Sequence, residues 1–230
     1  EDSVRHLVEA MELRRAHHDP AGTALTVDYM GFRLLRNRDY AGALPYFQEG
    51  LRLGQSLPDH WTTGMALLGM AEATYLLGDI ATAQTLAARS LEHHQALGDQ
   101  HGSGHNLGLL GDLAQAAGDL AAAKAYYDKS MRTLRVMGEA PRNVRTLWAL
   151  APLAAALGDL ERALTLAGAA VTLSQTALVS PYTADDPRLA PLWALGGLTA
   201  AEAMQSAAWQ TGAAMDLAQA VAYAAELTAD

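Results

Sequence analysis

The sequence predicts an all-α protein, an α-α superhelical solenoid of helix pairs with a repeat length of about 40 residues. Alanine, which has the highest helix propensity, carries much of the 50% hydrophobic fraction, whereas aromatic residues make up only 6%. Aspartates recur at a constant interval, often after glycine, as helix ends and starts do. Apolar residues between these boundaries follow helical spacing, as at Leu67, Met70, Ala71 and Leu77. Because a helix pair cannot cover its own apolar face, such pairs are expected to stack.

The helix boundaries form two acidic series, each with a period of 40 residues. The first series joins the two helices of a pair: Asp39, Asp79, Asp119 and Asp159. The second series falls midway, between one pair and the next: Asp19, Asp59, Asp99 and Glu139. Glycine commonly precedes the acid, because it accepts the left-handed conformation that ends a helix, and aspartate caps the free N–H groups of the next helix. Arg38 replaces this glycine in the first pair and Pro45 follows, so we expect that pair to be distorted.

The periodicity predicts a single solenoid over residues 1–230 with three kinds of segment. Residues 1–19 form a lone N-terminal helix, in phase with the second helix (B) of a repeat whose first helix (A) is missing. Residues 20–175 form four repeats, and residues 176–230 form a degenerate repeat followed by a capping helix. Since the chain begins with Glu1 rather than methionine, we expect it to be part of a larger protein.

The last segment departs from the regular pattern after Leu173. A loop rich in turn-forming residues leads into a short A helix predicted at about residues 186–196, and the B helix is predicted at about residues 200–211. Asp216 and Gln219 then have the spacing of a capping box. This spacing predicts the start of a final helix that closes the stack.

Several classes of function are excluded by motifs that the sequence lacks. The chain has no cysteine and no phosphate-binding Gly-x-x-x-x-Gly-Lys motif, so neither a thiolate metal site nor a nucleotide site is expected. No Gly-x-Ser-x-Gly motif is present and the recurring aspartates are explained as caps, so we predict no catalytic residue and no cofactor. A net charge of −9 argues against nucleic-acid binding, and no apolar stretch is long enough to span a membrane. We expect a cytoplasmic protein that is not an enzyme.

Histidines are the reason to consider a metal site. His101 and His105 are four residues apart and share a helix face, and His93 and His94 precede them across a turn. No His-Glu-x-x-His motif accompanies them, and a histidine near a helix C-terminus complements the helix dipole. We therefore predict solvated polar side chains here and no metal site.

The small and aromatic residues within each unit resemble the pattern of the tetratricopeptide repeat (TPR). That pattern has a small residue midway along helix A, Gly-Asp at the turn, and alanine, an aromatic residue and a small residue along helix B. In the third repeat these positions are Leu110, Gly111, Gly118, Asp119, Ala123, Tyr127 and Ser130. The resemblance implies a binding surface formed by the A helices and a role in binding a protein or peptide.

The C-terminal segment has a narrower resemblance. The stretches LAGAAVTLSQTAL and AAWQTGAAMDLAQAVAYAAEL are similar to the end of the TPR region in bacterial STAND-type signalling ATPases, many of which are LuxR-type regulators. The matching residues are Trp209, Gly212 and Met215. This resemblance implies that the chain is the sensor or regulatory part of a larger bacterial regulator.

The residues at the family's groove positions are the candidate partner-binding residues. They are Asp28, Phe32, Arg36, Met65, Leu68, Glu72, Tyr75, His105, Asp112, Gln115, Arg145 and Trp148. Aromatic and methionine side chains suit a binding surface, and the three carboxylates in this set favour a neutral or basic partner. Packing between helices is the alternative role for Phe32, Met65 and Leu68.

Two further functions stay open at this point. An array of this kind can instead recognise a small molecule, which would need a deep and enclosed pocket rather than an open groove. It can also act as a scaffold that self-associates into a homo-oligomer through its lone N-terminal helix.

Overall fold

The computed structural model describes residues 2–57, 61–135, 140–175, 183–184 and 189–229. Within these ranges the chain is helical and contains no strand, so the predicted all-α fold of TPR-like helix pairs is confirmed. The chain forms two compact units, Glu1–Leu113 and Ala114–Asp230. None of the helices described is both long and apolar enough to cross a membrane.

The helices follow the predicted boundaries closely. The first unit contains α1 (Asp2–Ala16), α2 (Pro20–Arg36), α3 (Tyr40–Gly54), α4 (Trp61–Leu76), α5 (Ile80–Ala96) and most of α6 (Gln100–Ala116). The second unit contains α7 (Leu120–Arg135), α8 (Ala140–Ala156), α9 (Leu160–Ser174), α10 (Ala190–Gly196), α11 (Ala200–Gln205), α12 (Ala207–Ala213) and α13 (Leu217–Ala229). A and B helices therefore alternate, and each helix of the regular repeats begins within one or two residues of its acidic boundary.

The turn between the two helices of a pair has the predicted chemistry. Gly78, Gly118 and Gly158 adopt φ angles of 95°, 82° and 85°, and the aspartate that follows each of them caps the next helix. Asp79, for example, accepts a hydrogen bond of 3.0 Å from the backbone N–H of Thr82. Of the predicted boundary acids, Asp59 and Glu139 lie outside the described residues.

The expected distortion of the first pair is not found. Arg38 adopts φ 63°, so the arginine takes the left-handed conformation that glycine takes in the later turns. Helix α3 runs through Pro45 without interruption. The reason is local: the carbonyl that Pro45 cannot bond belongs to Ala41, which lies at the exposed start of the helix, where water can satisfy it.

Phe47 of α3 is the centre of a tightly packed cluster in the first unit. Its ring is fully buried and lies against Gly31 of α2 and Gly69 of α4. A Cβ atom at either glycine would collide with the ring, so both neighbouring helices depend on glycine to approach it. Phe32 meets the same ring edge-on, with the two ring centroids 4.9 Å apart. The cluster holds α2, α3 and α4 together.

The second unit has a larger core to which the C-terminal helices contribute. Buried residues of α7, α8 and α9 pack with Trp209 of α12 and Leu227 of α13. Helix α12 crosses α9 at backbone distance, because Gly168 lies against the backbone of Trp209 and Gly212 lies against the backbone of Thr165. The rings of Trp193 and Trp209 also pack against each other, with ring centroids 6.2 Å apart.

The predicted B helix over residues 200–211 is divided in two. Ser206 adopts an extended conformation, φ −65° and ψ 148°, which ends α11 and begins α12. The Ser206 hydroxyl accepts a hydrogen bond of 3.2 Å from the N–H of Trp209 and so caps α12. Apolar periodicity predicted one continuous helix here because it does not detect such a cap. The predicted capping box is present: Asp216 and Gln219 bond each other's backbone N–H groups at 2.8 and 2.9 Å.

Candidate binding surface

Three of the predicted groove residues lie inside the protein. Leu68 is fully buried in the first unit, and Trp148 is 2% exposed in the core of the second. Asp28 is 1% exposed and lies over Gly50 of α3, where any side chain would collide with its carboxylate. All three positions lie on A helices, as predicted, but their side chains are buried, and that of Asp28 faces the B helix α3. Their contribution is therefore to packing.

Asp28 is a buried acid without a hydrogen-bond partner among the described residues. Neither carboxylate oxygen is paired, and burial raises the pKa of Asp28 from 3.8 to about 8. The neutral acid is favoured because the charged form would lose its hydration without compensation. Asp28 is therefore predominantly protonated at neutral pH and contributes little to the attraction for a basic partner.

Five of the remaining predicted residues define what we call the α4–α6 face: Met65, Glu72, Tyr75, His105 and Asp112. Each side chain is partly exposed, and positions 65, 72 and 75 share one side of α4. The imidazole Nε2 of His105 lies 3.8 Å from the Oε2 atom of Glu72, which connects the two helices. The face thus combines an aromatic ring and a thioether with two carboxylates and one histidine, groups suited to a neutral or basic peptide.

Phe32 and Arg36 line two clefts in the first unit, and the smaller one also includes Glu72 of the α4–α6 face. The larger, which we call the N-terminal cleft, has a volume of about 490 Å³, lies between α1 and α2, and is lined by His6, Leu7, Tyr29, Phe32, Arg33 and Arg36. The smaller, about 190 Å³, lies between α2 and α4 and is lined by Phe32, Leu35, Arg36, Glu72 and Leu76. Sequence reasoning missed the larger cleft, since periodicity does not show which side of α2 stays uncovered.

Two candidate residues belong to the second unit. Gln115 is partly exposed and its side-chain oxygen accepts a hydrogen bond of 3.2 Å from the hydroxyl of Tyr127, so the tyrosine orients it. Arg145 of α8 is also partly exposed. Both side chains therefore lie partly at the surface of this unit.

The prediction that the histidines are solvated is wrong for His94, which is fully buried at the end of α5. Its Nδ1 atom lies 2.8 Å from Oδ2 of Asp99, and the ring fits between Gly64 and Gly102. In the parts of the chain that the structure describes, no cluster of three or more His, Cys, Asp or Glu side chains is placed to hold a metal ion. Gly64 and Gly102, on the helices before and after α5, leave space for the His94 ring, and they were the signal in the sequence that this histidine is buried.

Comparison with known proteins supports the repeat assignment. Residues 62–135 match the Tetratricopeptide repeat family. A search among curated proteins found no match. Among solved structures, the crystal structure of BtubC (BKLC) from P. vanneervenii is similar, with a TM-score of 0.63 and 17% sequence identity over 98% of this chain and 89% of that chain. At this identity the likeness shows the fold alone. The family match, together with the helix pairs and their capped turns, supports a TPR protein.

Proposed function

We propose that the chain is a non-catalytic module that binds a protein or peptide through the α4–α6 face. TPR repeats generally mediate protein–protein interaction, and an all-α TPR fold is typically non-catalytic. The observation that carries the proposal is the α4–α6 face itself: a partly exposed aromatic ring and methionine beside two carboxylates, on adjacent A helices. Aromatic anchors contribute affinity, and the carboxylates orient a partner that is neutral or basic.

The finer part of the proposal is that this module is the sensor or regulatory part of a larger bacterial signalling ATPase or transcriptional regulator. Its support is the similarity of the C-terminal segment around Trp209, Gly212 and Met215 to the end of such regulators. Binding of a partner would favour one arrangement of the helix pairs over another, which an attached domain could detect. The reading frame around this chain tests the idea: a nucleotide-binding module upstream is expected, and a frame without one contradicts it.

The alternative function is recognition of a small molecule, for which the N-terminal cleft is the candidate pocket. The N-terminal cleft, at about 490 Å³, has the volume of a ligand pocket. It is open to solvent, however, because Tyr29 is 50% exposed and Arg36 is exposed at its edge. A site that buries little of a small ligand favours a macromolecular partner instead.

The binding proposal is tested with the full chain and a set of labelled peptides of net positive, neutral and negative charge. Fluorescence anisotropy should show that basic peptides bind and that the double variant Glu72→Gln/Asp112→Asn weakens them by about 5- to 10-fold. Glu92→Gln removes an exposed carboxylate from the B helix α5 and is the matched control, expected to have no effect. Equal affinity of the double variant and the control would contradict a role for the α4–α6 face.

A further inference from the structure

Side-chain hydrogen bonds fasten helices α1 and α2 to each other near the end of α1. Arg14, near the end of α1, donates hydrogen bonds of 2.6 Å to the carbonyl of Gly22 and 2.9 Å to the hydroxyl of Thr26. Arg15 adds an ion pair of 2.7 Å with Glu49 of α3. The N-terminal cleft lies at the opposite end, where the beginning of α1 faces the end of α2.

The apolar part of the N-terminal cleft is preformed. Leu7 contributes from α1, and Tyr29 and Phe32 contribute from α2. The ring of Phe32 is held edge-on against the buried ring of Phe47, so this part of the cleft is supported by the core beneath it. Tyr29 remains 50% exposed, a large apolar surface beside a cavity. A surface of this kind is suited to an apolar anchor from a partner.

The permanently charged groups that line the N-terminal cleft are two arginines. Arg33 and Arg36 lie on α2 and His6 lies on α1, and no acidic side chain lines the cleft among the residues that the structure describes. Neither arginine forms an ion pair with a described residue, and the Nε atom of Arg33 is buried without a hydrogen-bond partner. An anionic group from a partner would satisfy donors that the chain itself leaves free.

The smaller cleft, between α2 and α4, shows which side chains of a neighbouring helix lie beside Phe32 and Arg36. In the smaller cleft α4 presents Glu72 and Leu76 to the Phe32 and Arg36 side chains. Glu72 and Leu76 are four residues apart, so one helix face offers a carboxylate and a leucine together. The same α2 side chains extend into the N-terminal cleft, where no helix occupies the corresponding place among the described residues.

We propose that the N-terminal cleft binds an acidic amphipathic helix of a partner protein, with a leucine in the cleft and a glutamate or aspartate four residues away on Arg36 and Arg33. This is recognition of a helix in a groove. The N-terminal cleft shares no lining residue with the α4–α6 face and takes the opposite charge. It therefore extends the proposed function to a second partner-binding site, and either site can fail without the other.

The test uses the full chain and two labelled synthetic helices of about 15 residues, a length at which isolated helices become stable. One helix carries leucine at helical spacing with flanking glutamates, and its twin carries lysine at every glutamate position. The acidic helix should bind, more weakly at high salt. The double variant Arg33→Gln/Arg36→Gln should lower its affinity about tenfold or more. Arg52→Gln, which removes an exposed arginine from α3, should leave it unchanged.

The outcomes separate the possible occupants of the cleft. Equal binding of the two helices, or unchanged affinity in the double variant, would overturn the proposal. Concentration-dependent dimers in light scattering that the double variant abolishes would show a second copy in the cleft instead, which also overturns it. Tyr29→Ser, at an exposed position, should weaken the acidic helix without altering the circular dichroism spectrum, so the test does not depend on a variant that fails to fold. Glu72→Gln/Asp112→Asn should leave the acidic helix bound, which distinguishes this site from the α4–α6 face.

Discussion

His94 and Asp99 share a hydrogen bond of 2.8 Å that joins the end of α5 to the start of α6. The same carboxylate accepts hydrogen bonds from the indole N–H of Trp61 at 3.1 Å and from the backbone N–H of Gly102 at 3.0 Å. One side chain therefore connects three helices of the first unit. Asp39, Asp79 and Asp119 act as helix caps, whereas Asp99 has an additional structural role.

Asp99→Ala should destabilise the first unit by about 2–3 kcal/mol, because it removes a helix cap and leaves the buried imidazole of His94 without its partner. The free energy of unfolding is measured by urea denaturation. Asp79→Ala is the matched control, since it removes a cap alone, and it should cost less. An equal loss in both variants would show that the bonds to His94 and Trp61 add nothing.

The same carboxylate predicts a loss of stability in acid. Burial acts to raise the pKa of Asp99, but the hydrogen bond from Gly102 and the interactions with His94 and Trp61 together lower it. A carboxyl whose pKa is lower in the folded state stabilises the protein above its unfolded pKa. That contribution should be lost as the pH falls through the folded pKa. The free energy of unfolding of wild type and of Asp99→Asn is measured from pH 2 to 6, in steps of about one unit. It should fall less in the variant as the pH is lowered.

Asp28 predicts the opposite pH dependence in the first unit. In the unfolded chain the carboxyl ionises near pH 3.8, whereas in the folded chain it keeps its proton up to about pH 8. Over this window the unfolded state binds fewer protons, so the free energy of unfolding contributed by Asp28 should fall as the pH rises and level off above about 8.

Asp28→Leu should remove this pH dependence and stabilise the protein by about 2–4 kcal/mol at pH 8, because leucine has nearly the same shape and no charge to bury. Leu68 stands at the equivalent position of the next repeat. The measurement is urea unfolding between pH 5 and 9, at intervals of about one unit. Glu92→Gln, on an exposed carboxylate, should keep the wild-type slope, and a wild-type slope in Asp28→Leu would contradict the assignment.

Gly69→Ala should destabilise the first unit by about 1–3 kcal/mol, since its Cβ atom would collide with the Phe47 ring. The double variant Gly69→Ala/Phe47→Leu should lose less than the sum of the two single variants, because the smaller side chain relieves the collision. Thermal and urea unfolding of the four proteins complete the cycle. Additive losses would mean that the two residues do not constrain each other.

Arg38→Gly should stabilise the first turn by about 0.5–1 kcal/mol, because arginine is strained at φ 63° and glycine is not. Gly78→Arg makes the reverse change at the equivalent turn of the next repeat, where φ is 95°, and should be destabilising. Urea unfolding compares the two. Changes of the same sign would show that the conformation of the turn does not control this position.

The fold could be predicted because its signals are local. A boundary such as Gly78-Asp79 needs only a left-handed glycine and a carboxylate three residues before an N–H group, and both are visible in the sequence. The same applies to the reciprocal bonds of Asp216 and Gln219. The division of the predicted helix at Ser206 was missed because the spacing of apolar residues does not show whether a serine continues a helix or caps a new one.

The candidate site was harder to predict, because the exposure of each side chain depends on which residues of other helices pack against it. Periodicity placed Leu68 and Trp148 on the A helices, and packing then buried both. Asp28 is buried because Gly50 of the next helix has no side chain, which leaves space for the Asp28 carboxylate. The N-terminal cleft exists because one side of α2 is left uncovered near Phe32.

The sequence by itself determined the all-α class, the repeat length, the capped turns and the absence of familiar catalytic motifs. The helices and their capped turns depend on interactions between residues three to five positions apart, and the repeat length and the motifs can be read directly from the order of residues. Only the tertiary structure decided which polar residues are buried, that His94 joins Asp99 inside the first unit, and that an apolar cleft between α1 and α2 carries cationic groups. Those properties depend on the volume and shape of side chains from other helices, which pack at distances that periodicity does not encode.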